Sequence, residues 1–239
     1  MIDSFTINAH RSGIMDNLIQ HLQFTINPAI YLKDPVSSEL GRRIIQGSVE
    51  LIDEIGMEQF SFRKLADHIE STEASVYRYF ENKHQLLLYL SAWYWQWMKY
   101  RIAFHTANIP DASNRLRAGL RIVLEEVTED RMIQHIHEGK LHRIIVAEGA
   151  KVYLHRSVDR ANADGAYLGY KELVQRLSDF IMEINPDFEF PHMLVSTVIE
   201  GAHHQRFFAE HVPRLTDIKD GTDAVIEFYS NLVFKAIAS

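Results

Sequence analysis

Apolar residues recur along this chain at intervals of three and four, with polar residues between them, and strand-like alternation is nearly absent. That period predicts an all-α protein. Leu40, Ile44, Ile45, Leu51, Ile52 and Ile55 make one apolar stripe of a helix, with Gly47 and Ser48 small enough for another helix to cross closely. Gly56 follows the last apolar position, where a left-handed cap residue is expected. Ser61 then caps a short helix, Phe62–Ile69, that turns Leu65 and Ala66 inward, and Glu70 and Ser71 make a turn. Thr72 caps a third helix, Glu73–Tyr79. Val76 and Phe80 point back to the core, which leaves Glu73, Ala74, Ser75, Tyr77, Arg78 and Tyr79 on the outside. A short helix crossed by its predecessor in this way is the reading element of a helix-turn-helix.

Further helices are expected from Lys83 to the break at Pro110-Asp111, then over Asp111–Glu129, Arg131–Ala147, Ala163–Ile184, Pro191–Val212 and Gly221–Ala238. Residues 1–36 form an extension in which Asp16–Phe24 fits a short helix, and Pro28 and Pro35 keep the rest of it from continuing as one. The expected organisation is an extension over 1–36, a helix-turn-helix domain over 37–87 and a helical regulatory domain over 88–239.

Composition narrows the chemistry. Hydrophobic residues make up 46% of the 239 and charged residues 24%, which suits a folded globular chain. The absence of cysteine rules out disulfides, a thiol nucleophile and thiolate metal sites, and suits the cytoplasm. No apolar run approaches the roughly 20 residues of a membrane span, and the first twenty residues lack the pattern of a secretory signal. No Gly-rich phosphate loop, nucleophile elbow or zinc motif is present, so neither a catalytic site nor a cofactor is expected. The net charge of −7 gives no prior for nucleic acid, so that case rests on local features.

The local features are specific. Ile44-Ile45, Gly47-Ser48, Leu51-Ile52, Gly56, Ser61 and Leu65-Ala66 are followed by Thr72-Glu73-Ala74-Ser75-Val76-Tyr77-Arg78-Tyr79-Phe80-Glu81-Asn82-Lys83 and Leu86-Leu87. In type and spacing, over about a fifth of the chain, this resembles the tetracycline-repressor (TetR) family. The resemblance implies a ligand-responsive regulator, most often a repressor, that binds a palindromic operator in duplex DNA. It also implies a helical C-terminal domain that holds a small-molecule inducer and forms a homodimer through the last two helices. On the DNA-facing side, Ser61, Thr72, Ser75, Tyr77 and Tyr79 carry hydroxyls that can donate to phosphate oxygens, and Arg63 and Lys83 can pair with phosphates. Ala74 shares the face. Arg78 is placed to read guanine or to hold a phosphate, and Glu73 to accept from cytosine N4 or to favour the helix dipole.

Two features depart from the family's pattern. The turn has Glu70-Ser71 where glycine and valine are usual, which implies strain if Glu70 has positive φ. Residues 37–83 carry six basic side chains against nine acidic, net −3, a poor balance for approaching phosphates. Glu50, Asp53, Glu54 and Glu58 lie away from the reading helix, but Glu70 and Glu73 lie beside it.

In the remaining chain, Trp93, Trp97, Tyr100, Arg101 and Phe104 share one helix face that could line an apolar ligand site or be plain core. Leu194, Val198, Ala202, Phe208, Ile226, Tyr229, Leu232, Val233 and Phe234 supply the apolar surface of the last two helices, for a dimer or for the core. Glu81-x-x-His84 and Glu200-x-x-His203 have the spacing of di-iron bundles, and His192, His203 and His204 offer further ligands. A metal-binding bundle enzyme, and a family member that acts through protein contacts without DNA, are therefore the rival readings.

Overall fold

A computed structural model describes residues 24–127, 132–133, 136–219 and 224–238. The expected helix over 16–24 lies outside these residues except for Phe24, which is in extended chain. The helices, in order, are α1 (Glu39–Gln59), α2 (Phe62–His68), α3 (Glu73–Tyr77), α4 (Lys83–Thr106), α5 (Ala112–Leu124), α6 (Glu138–Glu148), α7 (Ala150–Tyr153), α8 (Val158–Ala163), α9 (Leu168–Ile184), α10 (Pro191–His211) and α11 (Ala224–Ile237). One small hairpin, β1 (Met132–Ile133) with β2 (Ile136–His137), precedes α6.

The α4 helix is the axis of the molecule. Its residues from Leu86 to Trp95 are all buried, so it is apolar all round rather than amphipathic, as a helix at the centre of a bundle must be. On it pack α9, α5, α6 and α7; α10 lies on α9, and α11 closes over α5 and α10. The same α4 enters the helix-turn-helix through Leu86, Leu87 and Tyr89, so one continuous core links reading head and bundle. The described part of the extension is not detached from this. Ile26 and Ile30 are buried, Phe24 meets Trp93 edge-on at 5.3 Å, and Tyr31 meets Tyr89 at 6.0 Å.

Several expected helices are shorter than their sequence periods; the one over Asp111–Glu129 ends at Leu124, after which Glu125 is extended. In place of one helix over 131–147, the chain pairs Met132 with His137 and Ile133 with Ile136 before α6 begins at Glu138. Isoleucine at 133 and 136 suits an extended pair, and Ile136 is 1% exposed with β2 against α1. The helix expected from Ala163 begins only at Leu168, because Gly165 takes φ +74. That conformation separates α8 from α9 and is open to glycine without a steric cost.

Candidate nucleic-acid interface

The reading head is assembled by local capping. Ser38 Oγ accepts from Gly41 N at 3.1 Å to start α1, and Ser61 Oγ accepts from Lys64 N at 3.3 Å to start α2. Ile69, at the end of α2, comes so close to Gly47 on α1 that a Cβ there would lie 2.3 Å from its Cγ2. The Arg43 guanidinium donates to the Ile69 carbonyl and holds the same junction. Ser71 N then donates to Ala66 O at 2.8 Å and Glu70 N to Asp67 O at 3.3 Å. This pair of bonds is a Schellman motif with Glu70 in the left-handed position that glycine usually takes, and its φ is 49°. The strain anticipated from the sequence is therefore present.

Thr72 Oγ1 accepts from Ser75 N at 3.3 Å and starts α3. Val76 and Phe80, neither with exposed surface, anchor α3 to the core; burying a phenylalanine contributes about 1.5–3 kcal/mol. The exposed face of α2 and α3 carries Arg63, Lys64, Thr72, Glu73, Ala74, Tyr77 and Arg78, with Ser61 half-buried at its edge. Tyr77 stands edge-on to Phe62 at 5.0 Å, and Arg78 Nη2 donates to Ser75 Oγ at 2.9 Å.

Three residues expected on this face are engaged elsewhere. Ser75 is 9% exposed, with its hydroxyl bonded to Thr72 Oγ1 at 2.9 Å. Tyr79 is 2% exposed rather than outward. Because α3 ends at Tyr77, the following turn swings Tyr79 inward, and its hydroxyl meets Ser38 Oγ at 2.8 Å. Lys83 directs Nζ at the carbonyls of Met57, Phe60 and Glu58, at 2.9, 3.2 and 3.4 Å. Those carbonyls follow the kink at Gly56, where φ is 72° and ψ 160°. The ammonium thus caps the end of α1.

The structure adds one cation that the sequence pattern does not single out. Leu32 N donates to Tyr79 O at 2.8 Å, which brings exposed Lys33 to 5.1 Å from the Tyr79 ring, beside the end of α3. Nothing in the local sequence of an extension signals such a placement.

Several of the acidic side chains are accounted for within the chain. Glu39 pairs with Arg42 at 2.9 Å. Glu50 lies 3.3 Å from His68 and 3.8 Å from His137. Burial pushes its carboxyl up, but hydrogen bonds from Gln46 and His68 outweigh that and hold it below the ordinary value. Asp53 faces Arg143 of α6. Glu70 and Glu73 remain exposed at the reading edge.

In the bundle, the aromatic face of α4 is not one cavity wall. Trp93 and Trp97 are 1% and 3% exposed and stack on each other with centroids 6.4 Å apart. Arg101 lies 4.9 Å above Trp97 and pairs with Glu125. Phe104 is 41% exposed. Of the five, Tyr100 alone lines the cleft of about 930 Å³ between α4 and α9. Buried polar contacts gather instead on the other side of α4. Tyr153 and Tyr170 both donate to Glu200 Oε1, and Tyr94 meets His142 Nδ1 at 2.9 Å. His203 packs against Trp95 and His142. Glu200 and His203 are thus occupied with tyrosines and aromatic rings, and among the described residues no group of three metal-ligating side chains converges. No helix among those residues is long and apolar enough to cross a membrane.

On the last two helices, Val198, Ala202, Tyr229 and Val233 are core rather than surface. The exposed apolar side chains there are Met193 (67%), Phe228 (61%) and Leu232 (41%), with Phe190 and Leu215 beside them.

Residues 44–90 match the family model described as bacterial regulatory proteins, tetR family. No curated protein matches the sequence. Among solved structures, the fold is similar to the fatty acid degradation regulator FadR from Bacillus halodurans, at 15% identity, with 84% of this chain and 95% of that chain covered and a TM-score of 0.59. It is also similar to AibR in complex with isovaleryl coenzyme A and operator DNA, at 18% identity, 81% and 97% coverage and a TM-score of 0.54. A Vibrio parahaemolyticus protein assigned to the TetR family aligns at 18% identity, 83% and 97% coverage and a TM-score of 0.52.

Proposed function

We propose that this chain, whose residues 44–90 carry the DNA-binding unit of the tetR family, is a ligand-responsive, non-enzymatic transcriptional regulator that binds a palindromic operator as a homodimer in the cytoplasm. The observation that carries the reading is the exposed face of α2 and α3. Two capped helices, joined by a Schellman turn and pinned by Val76 and Phe80, present Arg63, Lys64, Thr72, Ala74, Tyr77 and Arg78 together on the surface. Such a face suits the major groove, with Arg63, Lys64 and the Thr72 and Tyr77 hydroxyls toward phosphates. Arg78 is the base-reading candidate, in the geometry that guanine O6 and N7 reward with about 1–3 kcal/mol of discrimination. Ser75 and Tyr79 lie buried behind this face, Ser61 sits at its edge, and Lys83 caps the end of α1.

The apolar surface of α10 and α11 supports dimerisation, since Met193, Phe228 and Leu232 are large side chains exposed on two adjacent helices. A two-fold dimer places two reading helices about one DNA turn apart. AibR was solved with both operator DNA and an acyl coenzyme A, which supports the pairing of the two ligand types on this fold. We take repression as the mode, with the ligand releasing DNA.

The test is binding of the full chain to duplex DNA from upstream of its own coding region, across a salt series. The expected result is tight binding that falls steeply with salt, and weaker binding to random duplex. An intact dimer that shows no binding at low salt would exclude the reading.

A further inference from the structure

Between the reading head and the bundle lies a cavity of about 690 Å³, walled by α1, α6, the end of α10 and the segment after α5. Its surface is mixed. Ile52, Ile144, Val146, Phe207 and Ile218 are apolar, while His142, Arg143 and Arg206 bring nitrogen donors. Three of the acidic groups on the wall have a lysine or arginine beside them, Asp53 with Arg143, Glu148 with Lys151 and Glu126 with Arg206, and Glu210 lies 3.8 Å from His211.

His142 is the unusual member. It is 3% exposed, its residue lines this cavity, and its buried Nε2 has no hydrogen-bond partner. Its other nitrogen, Nδ1, lies 2.9 Å from the Tyr94 hydroxyl. We assign the buried Tyr94 hydroxyl as the donor to Nδ1; the neutral ring then carries its proton on Nε2, and a buried N–H is left without an acceptor. Leaving such a group unsatisfied costs about 1–3 kcal/mol, and buried polar groups of this kind ordinarily have a partner. The surroundings favour an anionic one. Burial is the main cause that disfavours a positive charge on His142, and it would oppose a bare anion as well; His203, Arg206, Arg101 and Arg143 add to it, and of these only the arginine charges favour a carboxylate.

We propose that this junction cavity is the effector site and that it takes an organic carboxylate with an apolar body, whose carboxylate accepts from His142 Nε2 beside Arg206. The inference rests on the reading of the chain as ligand-responsive and names the place and chemistry of the response. The consequence for DNA comes from the wall itself. Arg143 holds Asp53 of α1, and a second carboxylate in the cavity competes for the same guanidinium. Occupancy therefore loosens one of the ties between α1 and α6 and biases the position of the reading head. Only a ligand that interacts differently with the two positions can shift the balance, and an ion pair spanning the two helices supplies that difference.

The experiment uses the full chain, labelled with 15N-histidine, titrated with acetate, hexanoate, octanoate, benzoate and phenylacetate, and with octan-1-ol as the neutral match. Binding is followed by calorimetry and by the His142 Nε2 resonance, which is identified by its loss in His142→Phe. Ala147→Trp fills the cleft from an exposed position on α6 and leaves the core untouched. The expected result is one site per chain for at least one of the larger acids and a shift of the His142 resonance. Binding should weaken at least tenfold in Ala147→Trp, and at least tenfold for octan-1-ol against octanoate. Binding by none of the acids overturns the proposal, as does binding that Ala147→Trp leaves unchanged with the His142 resonance unmoved. Failure of the separate operator assay strikes the regulatory reading instead, because ligand binding is measured here without DNA.

Discussion

The Arg143 guanidinium donates to both carboxylate oxygens of Asp53, at 2.8 and 2.7 Å, and so ties α6 of the bundle to α1 of the reading head. The Asp53 side chain is 16% exposed and that of Arg143 57%, so solvent screens the pair and its contribution to stability is modest, about 0.5–1 kcal/mol. Asp53→Asn and Arg143→Gln are each expected to lower Tm by about 1–4 °C in a chain of this size. The double variant should lose no more than either single one, since both remove the same contact. Their effects on operator affinity should share one sign. Thermal melts of the four proteins check this, and fully additive losses would mean that the two side chains act independently.

Lys83 and Arg63 are both cations of the helix-turn-helix, and they divide into different roles. Arg63 is exposed on α2, whereas the Lys83 ammonium is bonded to three carbonyls at the end of α1. Arg63→Ala should reduce the slope of log affinity against log salt by about 2 for the dimer, as expected for one phosphate contact in each protomer, with little change in Tm. Lys83→Ala should do the reverse. It removes charge-assisted bonds and costs about 1–2 kcal/mol of stability, while the salt slope stays within error of the parent. Equal slope changes in the two variants would return Lys83 to the phosphate-contacting set.

The difference between those residues shows where sequence reading stops. Capping by Ser61 and Thr72, the inward set Leu65, Ala66, Val76 and Phe80, and the awkward turn at Glu70 all depend on neighbours within a few positions. They were legible because helix periodicity and capping are local. The partners of Lys83 and of Asp53 lie far away in the chain, and no period connects them. Tyr79 departs from the outward position its spacing implies for a smaller reason. Its outward position assumes that α3 continues to residue 79, but the helix stops at Tyr77 and the turn reverses the side chain. On α10 and α11 an apolar period marks a buried face without saying whether it is buried within the chain or between chains. Val198, Ala202, Tyr229 and Val233 went inside, and Met193 and Phe228 were left outside.

Glu70 offers a gain of stability and of affinity at one position. Its φ of 49° places a side chain in the left-handed region, which costs a non-glycine residue about 1–2 kcal/mol. Asparagine tolerates that region far better and restricts the unfolded chain much as glutamate does. Glu70→Asn is therefore expected to stabilise by about 0.5–1 kcal/mol. The substitution also removes an exposed carboxylate from the turn beside α3, so operator binding should tighten, most clearly at low salt. Melting curves and a salt series on one preparation read both effects. A lower Tm would show that the Glu70 side chain contributes something the turn geometry does not reveal.

The buried histidines give the fold a one-sided response to acid. Burial is the main cause that pushes His142 down to about 3 and His203 to about 4; His203 and Arg206 add to it at His142, and Arg206 and His204 at His203. In the unfolded chain both rings titrate near 6.5. Above that value neither state binds these protons, and the stability is fully present. As pH falls below 6.5, the unfolded chain takes up two protons that the folded interior refuses, so stability is lost progressively toward pH 4 and below. Denaturant unfolding from pH 7.5 to 4 should show this decline. In a His142→Phe, His203→Leu variant its slope should be shallower by about two protons in the middle of the range. The carboxylates and other histidines of the chain titrate in both proteins, so the comparison isolates these two rings. A slope identical in parent and variant would mean that both rings are protonated as easily in the folded chain as in the unfolded one.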